Sequence, residues 1–267
     1  MLARTSLAIE LTRRAGAYIA AAMGGHRAVE FKSAVDLVTE IDRGAQSIII
    51  DGIARSFPDD AIVAEEDVGQ RASDGPCWYV DPLDGTTNFV HRLPHFAVSV
   101  AYLEHGRPQA AAVYDPCKDE MFTAERGGGA FCNGRALQVS ATQALAQSLL
   151  VTGFPYDRRE HIDAYLDYLR LFILRAQDVR RYGSASLDLC YVAAGRFDGF
   201  WEWKLQPWDT AAGWLVVEEA GGSVSDFDAG QYDAWLPRIL ATNGHIHSQA
   251  VAVLGELSAR TQVLSAP

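Results

Sequence analysis

The stretch Trp78-Tyr79-Val80-Asp81-Pro82-Leu83-Asp84-Gly85-Thr86-Thr87-Asn88 decides how this chain folds and where its chemistry lies. Its apolar lead-in, Cys77 to Val80, reads as a short buried strand, so Asp81 and Asp84 emerge together at the carboxyl end. Pro82 is expected to stop a central strand there, and Asp84-Gly85 to form a tight turn. No Lys or Arg occurs between Ala72 and His91, although three Asp do. Carboxylates crowded at a strand end with no cation nearby must take up protons or hold a metal. Oxygen ligands of this kind point to a hard divalent cation, Mg2+.

Around this stretch the periodicity predicts two layers of helix and sheet. Leu7, Leu11, Ala15, Tyr18, Ile19 and Ala22 fall on one face of a first helix that ends at Gly24-Gly25. A second helix is expected from about Thr39 to Phe57-Pro58, with Thr39 and Asp42 spaced as a variant capping box. Strand-like runs follow at 61–65, 96–103, 109–114 and 120–124, and Gly127-Gly128-Gly129 and Asn133-Gly134 read as hairpin turns. The second half alternates strands (149–152, 200–203, 223–226, 239–242) with helices (162–174, 186–194, 210–220, 246–258). The two halves, 1–145 and 146–267, are expected to join closely. The loop Asp67–Pro76 reads as a lid.

Composition narrows the function. A net charge of −11 lacks the basic stripe of a nucleic-acid-binding surface and tolerates an anionic substrate only where metal ions invert the local field. The longest uncharged stretch of the N-terminal region, Ala15 to His26, is too short to cross a bilayer, so no membrane partner is expected. Cys77, Cys117, Cys132 and Cys190 have neither zinc nor disulfide spacing, and reduced thiols in a cytoplasmic protein are the expectation.

Other acids join the pair in the first motif. Glu65-Glu66 closes a strand, and Asp209, after Pro207-Trp208, stands where a helix begins. Taken singly these are a solvated loop start and an N-cap, and Asp42 is a first-turn acid complementing a helix dipole. Taken together, Glu65, Asp81, Asp84 and Asp209 converge into an oxygen-rich pocket suited to Mg2+, and the Gly85-Thr86-Thr87 amides can hold a phosphate if they open a short helix. His245 and His247 have no third partner and read as a solvated loop. An aspartyl-phosphate mechanism is disfavoured, because its Asp-x-Asp motif spaces the acids by two and here the spacing is three.

Glu65-Glu66, Asp81 through Phe89 and Trp208-Asp209-Thr210-Ala211-Ala212-Gly213 resemble the two signatures of the inositol monophosphatase family, with Asp36 to Asp42 and Phe131-Cys132-Asn133-Gly134 in support. Phe154 to Arg159 and Gly199 to Glu202 are similar to its bacterial inositol-1-monophosphatase branch. The resemblance implies an α+β, layered αβαβα sandwich, usually a homodimer. It also implies Mg2+-dependent, Li+-inhibited hydrolysis of a small-molecule phosphate monoester. By motif position, Glu65, Asp81, Asp84 and the Leu83 carbonyl would hold metal, with Thr86. Asp209 would hold a second ion and reach the substrate. Asp42 and Thr86, with Glu65, would orient the attacking water. Gly85 and Thr86 would bind phosphate, and Gly183, Ser184, Ala185 and Glu202 the polyol.

Ala64, Leu83 and Ser184 depart from the usual glycine, isoleucine and threonine. Inositol monophosphate is the expected substrate. Histidinol phosphate, fructose 1,6-bisphosphate and 3′-phosphoadenosine 5′-phosphate compete under the same chemistry. A regulatory, protein-binding role on the same fold is the reading of another class.

Overall fold

In the computed structural model the described residues are 2–23, 29–31, 37–66 and 75–258. Residues 67–74 of the expected lid, and Gly24-Gly25, lie outside them. Helix α1 (Leu2–Ala22) precedes a hairpin of β1 (Val29–Phe31) and β2 (Leu37–Thr39), and α2 (Glu40–Ser56) follows directly. Next come β3 (Ala61–Ala64), β4 (Cys77–Asp84), the one-turn helix α3 (Thr86–Val90), β5 (Ala97–Glu104), β6 (Arg107–Asp115), β7 (Glu120–Glu125), β8 (Gly129–Cys132) and β9 (Arg135–Ala136). The second half holds β10 (Leu149–Thr152), α4 (Arg158–Ile173), β11 (Asp178–Arg180), α5 (Ala185–Ala193), β12 (Gly199–Trp203), α6 (Pro207–Glu219), β13 (Ser223–Ser225), β14 (Arg238–Thr242) and α7 (His247–Ser258).

Strands β3 to β9 form a seven-stranded sheet in sequence order, parallel only at β3–β4. Its meander follows from short turns. Asn133-Gly134 joins β8 to β9 with both residues in the left-handed region, as a two-residue type I′ hairpin demands. The second sheet runs β11-β10-β12-β14-β13, with β10 parallel to both neighbours.

Three apolar layers separate these elements. The stripe of α1 (Leu11, Ala15, Ile19) and that of α2 (Ile49, Ile53) pack on Trp78, Val80 and Tyr102 of the first sheet. Helices α5 and α6 fill the space between the sheets, touching β5 and β6 on one side and β12 and β14 on the other. Helices α4 and α7 cover the far face, where Tyr165, Tyr168 and Phe172 meet Trp201 and Trp203. The order is therefore α, β, α, β, α. Sheet faces covered on both sides explain why β4 and β5 are apolar almost throughout rather than alternating. All four cysteines are free thiols. Among the described residues no helix is long and apolar enough to cross a membrane.

Candidate active site

Strand β4 does not stop at Pro82. It continues to Asp84 through a bulge, Asp81 facing Ser99 and Asp84 facing Ala97 of β5, so that Pro82 and Leu83 stand against the single residue Val98. The missing proline N–H is tolerated because a bulge leaves its extra residue unpaired. In a regular strand, residues three apart point to opposite faces. The extra residue cancels that, and Asp81 and Asp84 both line one cavity of about 490 Å3. Asp81 is 2% exposed, and its Oδ1 accepts the Leu83 N–H at 2.9 Å.

The turn after β4 is one only glycine makes easily. Gly85 has φ +95°, and a Cβ there would stand 3.2 Å from the carbonyl oxygens of Gly183 and His95. The chain then enters α3, as the amide-donor reading requires. Thr86, 7% exposed, directs its hydroxyl at Asp42 Oδ1 (3.2 Å) and the Leu83 carbonyl (3.0 Å). Asp42 is wholly buried in the first turn of α2. The pairing of two residues 44 apart in sequence is thus present, although Asp42 itself is not on the cavity wall.

Glu65, Leu83, Gly85, Thr86 and Asp209 join Asp81 and Asp84 around the cavity, and Gly183, Ser184, Ala185 and Glu202 complete the predicted set. Asp209 is not the helix N-cap. Gln206 is, and Asp209 is the third helical residue, its Oδ2 accepting the Gln206 N–H at 2.7 Å in a capping box. Asp84 is turned onto the start of α5, accepting from the Ser184 hydroxyl (2.7 Å), the Ser186 N–H (2.7 Å) and the Ser186 hydroxyl (2.5 Å). Among the described residues no three His, Cys, Asp or Glu side chains are drawn together into a finished metal cage. The carboxylates share a cavity, and Asp84 is committed to α5 within it.

The electrostatics are those of acids held against their preference. Burial, then the charges of Glu65, Asp84 and Asp209, push the Asp81 carboxyl well above its usual range. Burial, Glu65 and Asp84 do the same to Asp209. Burial raises Glu202 to about 8, with Arg181 opposing and Asp84 adding to the rise. Glu202 packs directly on Gly153, where a Cβ would collide with its carboxylate. Asp188, one turn into α5 and 1% exposed, is raised mainly by burial, and neither carboxylate oxygen has a hydrogen-bond partner. The oxygen-only donor set Glu65, Asp81, Asp84 and Asp209 fits a hard divalent cation, the charge that would relieve this repulsion.

Sequence reasoning missed part of the wall. Arg158 and Arg181 line the cavity, whereas the neighbouring Arg180 pairs with Asp178 at 2.5 Å. Phe154, Trp203 and Lys204 also line it. His247 is not solvated: it begins α7 and bridges Ser225 Oγ and Thr242 Oγ1, each at 2.9 Å.

Residues 3–259 match the model of the inositol monophosphatase family. The chain belongs to that family. Among its relatives, the inositol-1-monophosphatase of Synechocystis sp. is 48% identical over 252 residues, covering 92% of this chain and 88% of the relative. The Nus factor SuhB of Escherichia coli is 45% identical over 244 residues, covering 90% and 91%. The solved inositol monophosphatase of Anabaena (Nostoc) sp. superimposes with a TM-score of 0.88 at 40% identity, covering 97% and 98%. Family membership accounts for the five-layer fold and for acids gathered from distant parts of the chain.

Proposed function

We propose that this protein is a Mg2+-dependent phosphomonoesterase whose preferred substrate is inositol monophosphate, released as inositol and phosphate. The observation that carries the reading is that Glu65, Asp81, Asp84 and Asp209 line one cavity with the buried Thr86–Asp42 pair behind it. Glu65, Asp81, Asp84 and the Leu83 carbonyl would hold one ion and Asp209 a second. When bound, Mg2+ would neutralise the phosphate dianion, lower the pKa of the attacking water and support the leaving oxygen.

The chain's own residues supply positioning. In this reading Thr86, its hydroxyl proton given to Asp42, accepts a hydrogen bond from water and aims that oxygen at phosphorus, with Glu65 alongside. The N–H groups of Gly85 and Thr86 donate to phosphate oxygens at the opening of α3. Gly183, Ser184, Ala185 and Glu202 receive the alcohol. The P–O bond to the alcohol breaks as the water oxygen adds; of the water's two protons one stays on the phosphate product and the other ends on the alcohol oxygen. The neutral form of Glu202 favoured by burial can donate to a substrate hydroxyl as well as accept from one. We take the active unit to be a homodimer, with the exposed Leu93 and Tyr182, whose backbones both bond Asn88, as candidate contacts.

Relatives named Nus factor raise the second reading, a regulatory contact with another protein. One experiment separates the two. Phosphate release is measured on inositol 1-phosphate, histidinol phosphate, fructose 1,6-bisphosphate and 3′-phosphoadenosine 5′-phosphate with Mg2+, then with Mg2+ plus Li+. Inositol 1-phosphate is expected to lead, Li+ to inhibit, and Asp84→Asn to lose at least about 100-fold, more than the loss of an outer partner costs. Full turnover by Asp84→Asn overturns the assignment. Silence on every ester favours the regulatory role.

A further inference from the structure

Strands β10 and β12 are parallel neighbours, Thr152 beside Trp201, so the segments leaving their carboxyl ends start side by side and form two adjoining walls of the cavity. One wall passes from Gly153 through Tyr156 into α4, and the other from Glu202 through Lys204 into α6. A crevice at the carboxyl ends of such strands is a common place for a ligand. At their base the two walls are joined by the strand pairing and by Glu202 packed on Gly153, and farther out they are joined again by an ion pair between Lys204 and Asp157.

Lys204 sits at φ +54°, a left-handed conformation that strains any residue bearing a side chain. It persists because both ends of the residue are held. Its N–H donates to the Pro237 carbonyl at 2.6 Å, and its ammonium donates to Asp157 Oδ2 on the other wall. Asp157 is equally diverted. It occupies the N-cap of α4, where an Asp ordinarily accepts the N–H of the second or third helical residue, yet it makes no such bond. Its Oδ1 accepts instead from the hydroxyl of Tyr165 at 2.7 Å. Tyr165 is 1% exposed and packs on Trp203, ring centroids 5.3 Å apart, so the residue beside Lys204 is clamped by the same side chain that steadies Asp157.

From this juxtaposition we infer that Asp157 and Lys204 are a latch that sets the width of the alcohol end of the cavity, and so determine which phosphate ester fits. The inference deepens the phosphomonoesterase reading and rests on it. Neither residue touches the reacting phosphorus. Both are positioning residues, acting through Glu202 on one wall and Tyr156 on the other. Exposed ion pairs contribute little to stability, whereas a bond that fixes the separation of two walls acts on selectivity even where it adds little to the fold.

The test compares the full chain with Lys204→Gly, Lys204→Arg and Tyr165→Phe on inositol 1-phosphate and on phenyl phosphate with Mg2+. Glycine accepts the left-handed backbone without strain, so Lys204→Gly removes the latch while easing the turn, and a thermal melt verifies that it folds. Its KM for inositol 1-phosphate is expected to rise about three- to tenfold, with kcat and the phenyl phosphate KM each changing less than about twofold. Lys204→Arg, which can still reach Asp157, is expected to keep most of the discrimination. Tyr165→Phe is expected to shift it in the same direction as Lys204→Gly but less. An unchanged KM ratio in Lys204→Gly, or an equal loss in Lys204→Arg, overturns the latch while leaving the phosphatase reading intact. A wild-type chain inactive on both esters overturns the two together.

Discussion

Strands β4 and β12 each end at the cavity by passing through a left-handed residue, and they do so by opposite means. After β4 the residue is Gly85, at φ +95°, which adopts that backbone freely and leaves room for the carbonyls of Gly183 and His95. After β12 it is Lys204, at φ +54°, a residue that must be held there by Pro237 and Asp157. The acidic floor is therefore built from local chain geometry, and the alcohol-facing rim from a contact between distant segments. Local geometry belongs to the motif through which the chain resembles its family.

The comparison is most sharply broken at Gly85. Gly85→Ala adds a Cβ where two carbonyls already stand, in a backbone region closed to alanine, and is expected to destabilise the protein by about 1–3 kcal/mol. It should also lower kcat/KM by roughly two orders of magnitude through misplacement of the Thr86 turn. Thermal melts and phosphate release measure both, and a wild-type profile would show that the floor does not depend on its glycine. Next in size, Glu202→Gln should raise the KM for inositol 1-phosphate about three- to tenfold while barely changing that for an aryl phosphate. Equal effects on both esters would move Glu202 off the alcohol side.

The smallest effect is one of pH in metal-free protein. Glu202 holds its proton to about pH 8 in the fold, whereas an unfolded Glu loses it near pH 4.3. The folded state then binds more protons between those values, so this contribution is complete below about pH 4.3 and is lost as pH rises through about 8. Buried Asp188 acts in the same direction. Melting temperature should fall across that range, and should fall less in Glu202→Gln. A Tm that climbs with pH would contradict it.

Much of the fold was legible because its signals are local. The apolar run into Asp81, the Asn133-Gly134 turn and the stripe of α1 each carry their reason within a few residues. The acids at 65, 81, 84 and 209 were legible because each stands close to the end or the start of a regular element. The misreadings share a cause. Pro82 was expected to end β4, but the bulge that accommodates it depends on register with β5. Asp209 was expected to be an N-cap, and only Gln206 accepting from the next turn displaces it to a third-position acid. His247 lacks sequence neighbours that would announce Ser225 and Thr242 as its partners. Short strands β8, β9 and β11 exist through pairing rather than propensity. Asp157 and Lys204 stand 47 residues apart and have no periodicity to join them.

Helix α5 has every residue buried between the two sheets, and its first turn faces the cavity. A change anywhere along it is felt at once by both sheets and by Asp84, so this part of the molecule has almost no room to drift. Divergence in what the protein accepts must accumulate at the rim, where side chains such as Tyr156 and Arg181 can be exchanged without reopening the interior.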